Sequence, residues 1–123
     1  MKKVLVNKLG KIDISMNVIS TIAGQTALGC YGLSGMTAKK IHHGLAKLLG
    51  RSHLGKGVDV LQTGEGKIII NLYVVVEYGA KVSEVCENLM RRVKYEVENT
   101  TGLLVEKVNV HIQGVRNSEI DNA

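Results

Sequence analysis

The chain has 123 residues, 45% of them hydrophobic and 22% charged, with a formal net charge of +5 and no Phe, Trp or Pro. That length suits one domain able to bury about two-thirds of its unfolded surface, and the composition is that of an ordinary globular chain. Four tyrosines (Tyr31, Tyr73, Tyr78, Tyr95) are the only aromatics, too few for a multi-ring platform that stacks single-stranded nucleic acid. The apolar runs Ile68–Ile70 and Val74–Val76 are far short of a membrane span.

In chain order, KVLVNKLGKIDI reads as a strand, a corner at Gly10 and a short extended piece. Ser15 is placed to cap a first helix over residues 16–28, where Val18, Ile19, Ile22, Ala23, Thr26 and Ala27 recur at helical spacing. A glycine corner follows, Gly32-Leu33-Ser34-Gly35. Thr37 then caps a second helix with Ile41, Leu45, Leu48 and Leu49 as its apolar stripe and Gly50 as its stop. GVDVLQ alternates as a strand, residues 63–66 (TGEG) are turn chemistry, and KIIINLYVVVEY is a long strand.

Along that strand Ile68, Ile70, Leu72, Val74 and Val76 share one face. Ile69, Asn71, Tyr73, Val75 and Glu77 form the other, which is half polar, so one face covers a core and the other is partly exposed. The last helix is predicted from Val82, Val85, Cys86, Leu89, Met90, Val93 and Val97, with Gly102 to end it. A final strand alternates Val108, Val110 and Ile112 with Asn109, His111 and Gln113. The expected fold is therefore α+β and two-layered: a mostly antiparallel sheet of about four strands with three helices, in the order β-α-α-β-β-α-β. Residues 1–115 read as one domain and 116–123 as a polar C-terminal tail.

Chemistry-bearing patterns are sparse. His42 and His43 are adjacent, so on a helix they point about 100° apart and cannot share a metal. His53 falls in a glycine-flanked loop and His111 on the exposed side of a strand, and paired short Cys/His spacings are absent. No metal, cofactor, catalytic residue or small-molecule substrate is expected. Glu84, Glu87, Glu96 and Glu98 interleave with Arg91, Arg92 and Lys94, the pattern of a solvated helix face. Cys30 and Cys86 sit among aliphatic residues and read as reduced, buried thiols of a cytoplasmic protein. Lys2 and Lys3 precede an apolar stretch too brief for a secretory signal.

Charge is unevenly placed. Residues 1–56 hold nine Lys/Arg against Asp13 alone, a net +8, whereas residues 57–123 hold seven Lys/Arg against ten Asp/Glu, a net −3. Such asymmetry suits an anionic partner, or contact between copies of the chain. It is concentrated in Lys39, Lys40, Lys47, Arg51 and Lys56, with three histidines and no carboxylate in the same stretch. Two readings stand: a helix kept soluble by its charge, or a surface that meets an anion or a partner through Gly32, Gly35, Lys39, Lys40, Lys47 and Arg51.

The Gly32-Leu33-Ser34-Gly35 corner, followed by Ala38-Lys39-Lys40-Ile41, resembles the helix–GxxG–helix of K-homology RNA-binding domains. Glycine permits close backbone approach, and free amides at a helix start attract phosphate. That resemblance implies a nucleic-acid-binding module as the second choice of function.

A wider resemblance runs over about 100 residues. Its blocks are Ile12-Asp13-Ile14-Ser15, Gly32-Leu33-Ser34-Gly35-Met36, Val76-Glu77-Tyr78-Gly79 with Ser83-Glu84-Val85, and Thr101-Gly102-Leu103. Val108-Asn109-Val110 and Gln113-Gly114-Val115 complete it. Together they look like the small members of the alkaline shock protein family, envelope-stress proteins of Gram-positive bacteria. The resemblance implies a non-enzymatic cytoplasmic scaffold that forms homo-oligomers and binds protein partners. It further implies recruitment to a membrane-anchored protein at the inner membrane face.

Overall fold

The computed structural model describes residues 2–37 and 57–117. In chain order the described elements are β1 (Lys2–Asn7), β2 (Gly10–Ser15), α1 (Met16–Leu28), β3 (Leu33–Met36), β4 (Val58–Gln62), β5 (Ile68–Glu77), α2 (Val82–Thr101) and β6 (Val105–Arg116). The expected second helix lies outside the described residues.

Two of the expectations for the sheet are corrected. First, β1 does not join a single sheet: it pairs antiparallel with β2 from Lys2↔Ser15 to Asn7↔Gly10, a separate two-stranded hairpin. Asn7 makes that turn locally, its Oδ1 accepting from the N–H of Leu9 at 2.8 Å and of Gly10 at 3.2 Å. Second, the main sheet of β3, β4, β5 and β6 contains a parallel pair. β6 runs parallel to β5 over its whole length, because α2 carries the chain back across the sheet between them.

β5 organises everything else. On one edge it takes β4 along Ile68–Leu72 and β3 along Val74–Val76, both antiparallel, and on the other edge it takes β6. Its alternation then decides the layers, as the sequence predicts. Ile68, Ile70, Leu72, Val74 and Val76 are fully buried beneath the helices, and the alternate residues are half-exposed. Each fully buried aliphatic side chain stabilises the fold by about 1.5–3 kcal/mol.

The helices meet that face with narrow stripes. Ile19, Ala23 and Ala27 of α1, and Val85, Leu89, Val93 and Val97 of α2, complete the core. α1 starts as expected, with Ser15 Oγ accepting from Asn17 N–H at 3.1 Å. α2 ends at Gly102, whose N–H donates to Glu98 O at 2.9 Å. Leu5 and Ile14 of the hairpin pack against the same core, which fixes the two-stranded sheet to the body. No described helix is long and apolar enough to cross a membrane.

Candidate functional site

The Gly32–Gly35 corner has a different structure from the one expected. It does not join two helices: Gly32 closes a turn, and Leu33-Ser34-Gly35-Met36 is β3, bonded to the edge of β5. Gly32 O accepts from Glu77 N–H at 2.9 Å. These backbone groups are engaged in sheet pairing, so they do not form the free loop that clamps a phosphate, and the K-homology geometry is overturned. The four-residue strand owes its form to β5 beside it rather than to its own propensity.

The two glycines have separate roles. Gly32 has φ +87°, and a Cβ there would lie 2.5 Å from Val85 Cγ2, so it lets the turn press onto the start of α2. Beside it a cleft of about 430 Å³ is lined by Tyr31, Lys81, Glu84, Val85 and Asn88 among others. Lys81 and Glu84 set opposite charges there, which removes any bias toward an anion. Gly35 instead lies opposite Val75 on the sheet face turned away from α1 and α2, with open space where a Cβ would stand.

That face, opposite α1 and α2, carries the most developed side-chain constellation among the described residues. Strand register builds it row by row: Asp59, Asn71 and Asn109 stand abreast on β4, β5 and β6, and in the next row Tyr73 faces His111. Asn71 Oδ1 accepts from Asn109 Nδ2 at 3.1 Å and from His111 Nε2 at 3.2 Å, an arrangement that places the imidazole proton on Nε2. The His111 ring stacks on Tyr73 with centroids 4.7 Å apart and planes 13° from parallel. Beyond that stack, Gly35 and Gly114 flank Val75 from the two sides and lower the surface. The face offers fixed amides, an aromatic pair and a shallow saddle, which is equipment for binding.

Tyr73 also marks where the basic segment is attached. Its backbone O accepts from Thr37 N–H at 3.0 Å, and its N–H donates to Gly57 O at 2.8 Å. Thr37 and Gly57, the described residues that flank 38–56, therefore meet the sheet at one point beside the constellation. Lys39, Lys40, Lys47 and Arg51 themselves fall outside the described residues. Thr37 Oγ1 is buried and has no hydrogen-bond partner among the described residues.

The thiols are as the aliphatic setting predicts for Cys30, which is buried, while Cys86 is only half-buried. Burial pushes the Cys30 thiol above its ordinary pKa, and the charge and hydrogen bond of the Arg92 guanidinium recover part of that shift. Burial also raises Cys86. Among the described residues no three His, Cys, Asp or Glu come together as a metal site.

A family model covers residues 4–117, that of the alkaline shock protein 23 family, described as having a cell envelope-related function. The chain belongs to the alkaline shock protein family. It is 47% identical over 110 residues to the protein YloU of Bacillus subtilis, covering 89% of this chain and 91% of YloU. It is 38% identical to Spy1614 of Streptococcus pyogenes over 89% of this chain and 90% of that one. With YqhY of Bacillus subtilis the identity is 32%, over 88% and 78% respectively. No solved structure matches the chain. Membership places the chain in a family with a cell envelope-related function. The sequence signals the pairing of Tyr73 with His111 only through the half-polar face of β5.

Proposed function

We propose that this alkaline shock family chain is a non-enzymatic scaffold that associates with itself and captures protein partners at or near the cytoplasmic face of the membrane. The observation that carries this reading is the junction at Tyr73. One residue bonds through its backbone to Thr37 and Gly57, which flank the 38–56 segment, and stacks its ring on His111 on the sheet face opposite α1 and α2. A partner seated on that face meets fixed amides and an aromatic pair, and it lies beside the root of a segment with five cations and no carboxylate. Lys39, Lys40, Lys47 and Arg51 are the partner-facing charges in this reading, and an acidic protein surface is their complement. Gly35 lowers the adjoining saddle, and Gly32 sets the turn that leads into β3.

The test is charge reversal. Lys40→Glu with Lys47→Glu should reduce oligomer size or the recovery of cross-linked partners from cells, with the thermal melt unchanged. Unaltered oligomer size and partner recovery would remove the basic segment from the reading. Single-stranded RNA bound at physiological salt by the parent, and lost in the variant, would move the assignment to nucleic acid.

A further inference from the structure

Among the described residues, β6 has a strand partner on one edge only. A twelve-residue strand with an unpaired edge is a template for another strand unless it is fenced. Here the fence stands at one end. Glu98 Oε2 accepts from Val105 N–H at 2.9 Å and closes the start of the strand.

The shoulder above this edge is apolar. Lys81, which precedes α2, and Glu84 and Asn88 on it line the cleft with Tyr31, and Arg92 reaches Cys30 just after α1. The opposite flank of α2, over the free edge of β6, therefore carries Cys86 and Met90. Met90 is 38% exposed. On β6, Ile112 and Val115 lie opposite Val74 and Val76, so they point to the helix side, yet they are 36% and 58% exposed. These side chains have the orientation of core residues and stay partly exposed.

Charge on the same flank identifies the cover. Glu87, Met90 and Lys94 follow one another at i, i+3 and i+7 on this side of α2, with both charged groups exposed. A second copy related by a two-fold axis beside Met90 would run antiparallel. It would set its own Met90 against this one, its Lys94 against Glu87 and its Glu87 against Lys94. Such reciprocity is what an isologous contact requires. The strand agrees with the helix on where the axis lies. Met90 precedes the end of α2 by about 16 Å, which corresponds to about five residues along β6, level with Val110 and midway along the strand.

We infer that two copies of this chain associate through the outer edge of β6, pairing β6 antiparallel with its counterpart and packing the Glu87–Met90–Lys94 flank of α2 on itself. The inference rests on the self-association proposed above and gives it a surface. The pairing continues one sheet into the next and covers Met90, Ile112 and Val115.

Sedimentation equilibrium of the purified full chain tests it. The parent should be a dimer. Met90→Lys, which brings two cations to the axis, should raise the dissociation constant at least about ten-fold. Lys94→Glu should raise it about five-fold, and Glu87→Lys added to Lys94→Glu should restore it. All three side chains are exposed, so circular dichroism should show parental folding. An oligomer indifferent to Met90→Lys and Lys94→Glu would overturn this interface and leave the scaffold reading standing. Disruption by Lys94→Glu without rescue by the double exchange would overturn the two-fold arrangement. A monomer even at about 1 mM would remove self-association itself.

Discussion

Tyr73 and His111 stack across the β5/β6 boundary with ring centroids 4.7 Å apart, although 38 positions separate them in the chain. Parallel register sets the two residues opposite each other, and Asn71 holds the imidazole from the neighbouring row. The contact stabilises the sheet as a cross-strand pair does, by about 0.5–1 kcal/mol beyond the area it buries. A double-mutant cycle of Tyr73→Ala and His111→Ala, followed by urea unfolding, should return a coupling of that size. Strict additivity would show the stack to be energetically idle.

The two glycines of the β3 corner should respond unequally to a methyl group. At Gly32, alanine meets a positive φ and a side chain at 2.5 Å. The melting temperature should fall by several degrees, for a cost of about 1–3 kcal/mol. At Gly35 φ lies outside the left-handed region and the space is open, so alanine should leave the melt within about 0.5 kcal/mol of the parent. Equal melts for the two variants would contradict the geometry of the turn.

How much of this was legible in the sequence depends on how local each cause is. The Ser15 cap, the buried alternation from Ile68 to Val76 and the end of α2 at Gly102 follow from neighbouring residues, and the structure bears them out. β3 was not legible: four residues, one of them glycine, carry no strand signal, and only the edge of β5 makes them extended. The parallel pairing of β6 and the separate hairpin likewise depend on which distant segments meet. The buried stripe of α2 is narrower than its apolar spacing predicts. Val85, Leu89, Val93 and Val97 are buried, while Val82 and Met90 stay exposed because the sheet beneath them ends. The face bearing Tyr73 could be recognised as half polar, but its partners Asn109 and His111 became apparent only with the register.

Thiol chemistry should follow burial. Both thiol pKa values are raised, so at any pH below them a smaller fraction is thiolate than for a free cysteine, and alkylation is slower. Cys86 is half-buried and Cys30 buried. Iodoacetamide at pH 8 should therefore modify Cys86 first, and Cys30 should react only as the fold opens. The rate at Cys86 should rise as pH increases toward its elevated pKa. Mass spectrometry of timed aliquots checks the order. Faster labelling of Cys30 than of Cys86 would mean that the turn after α1 opens more readily than its packing implies.

Gly57 should prove the least replaceable residue at the Tyr73 junction. Its φ is +84°, and a Cβ there would stand 2.6 Å from Thr37 O, 3.0 Å from Met36 Cβ and 3.2 Å from Tyr73 O. Two of those three neighbours are backbone atoms, one of which, Tyr73 O, takes the Thr37 hydrogen bond, so neither can yield without loosening the attachment of the basic segment. Gly57→Ala should cost about 2–4 kcal/mol. Gly64→Ala, in an open turn where nothing lies within 4 Å, is the control and should melt with the parent. Hydrogen exchange adds a second readout. The amides of Thr37 and Tyr73 should lose protection in Gly57→Ala while Leu89 and Val93 in the core keep theirs, because the lesion sits at the sheet edge. Loss of protection spread evenly over the chain would instead mean that the junction is part of the global core.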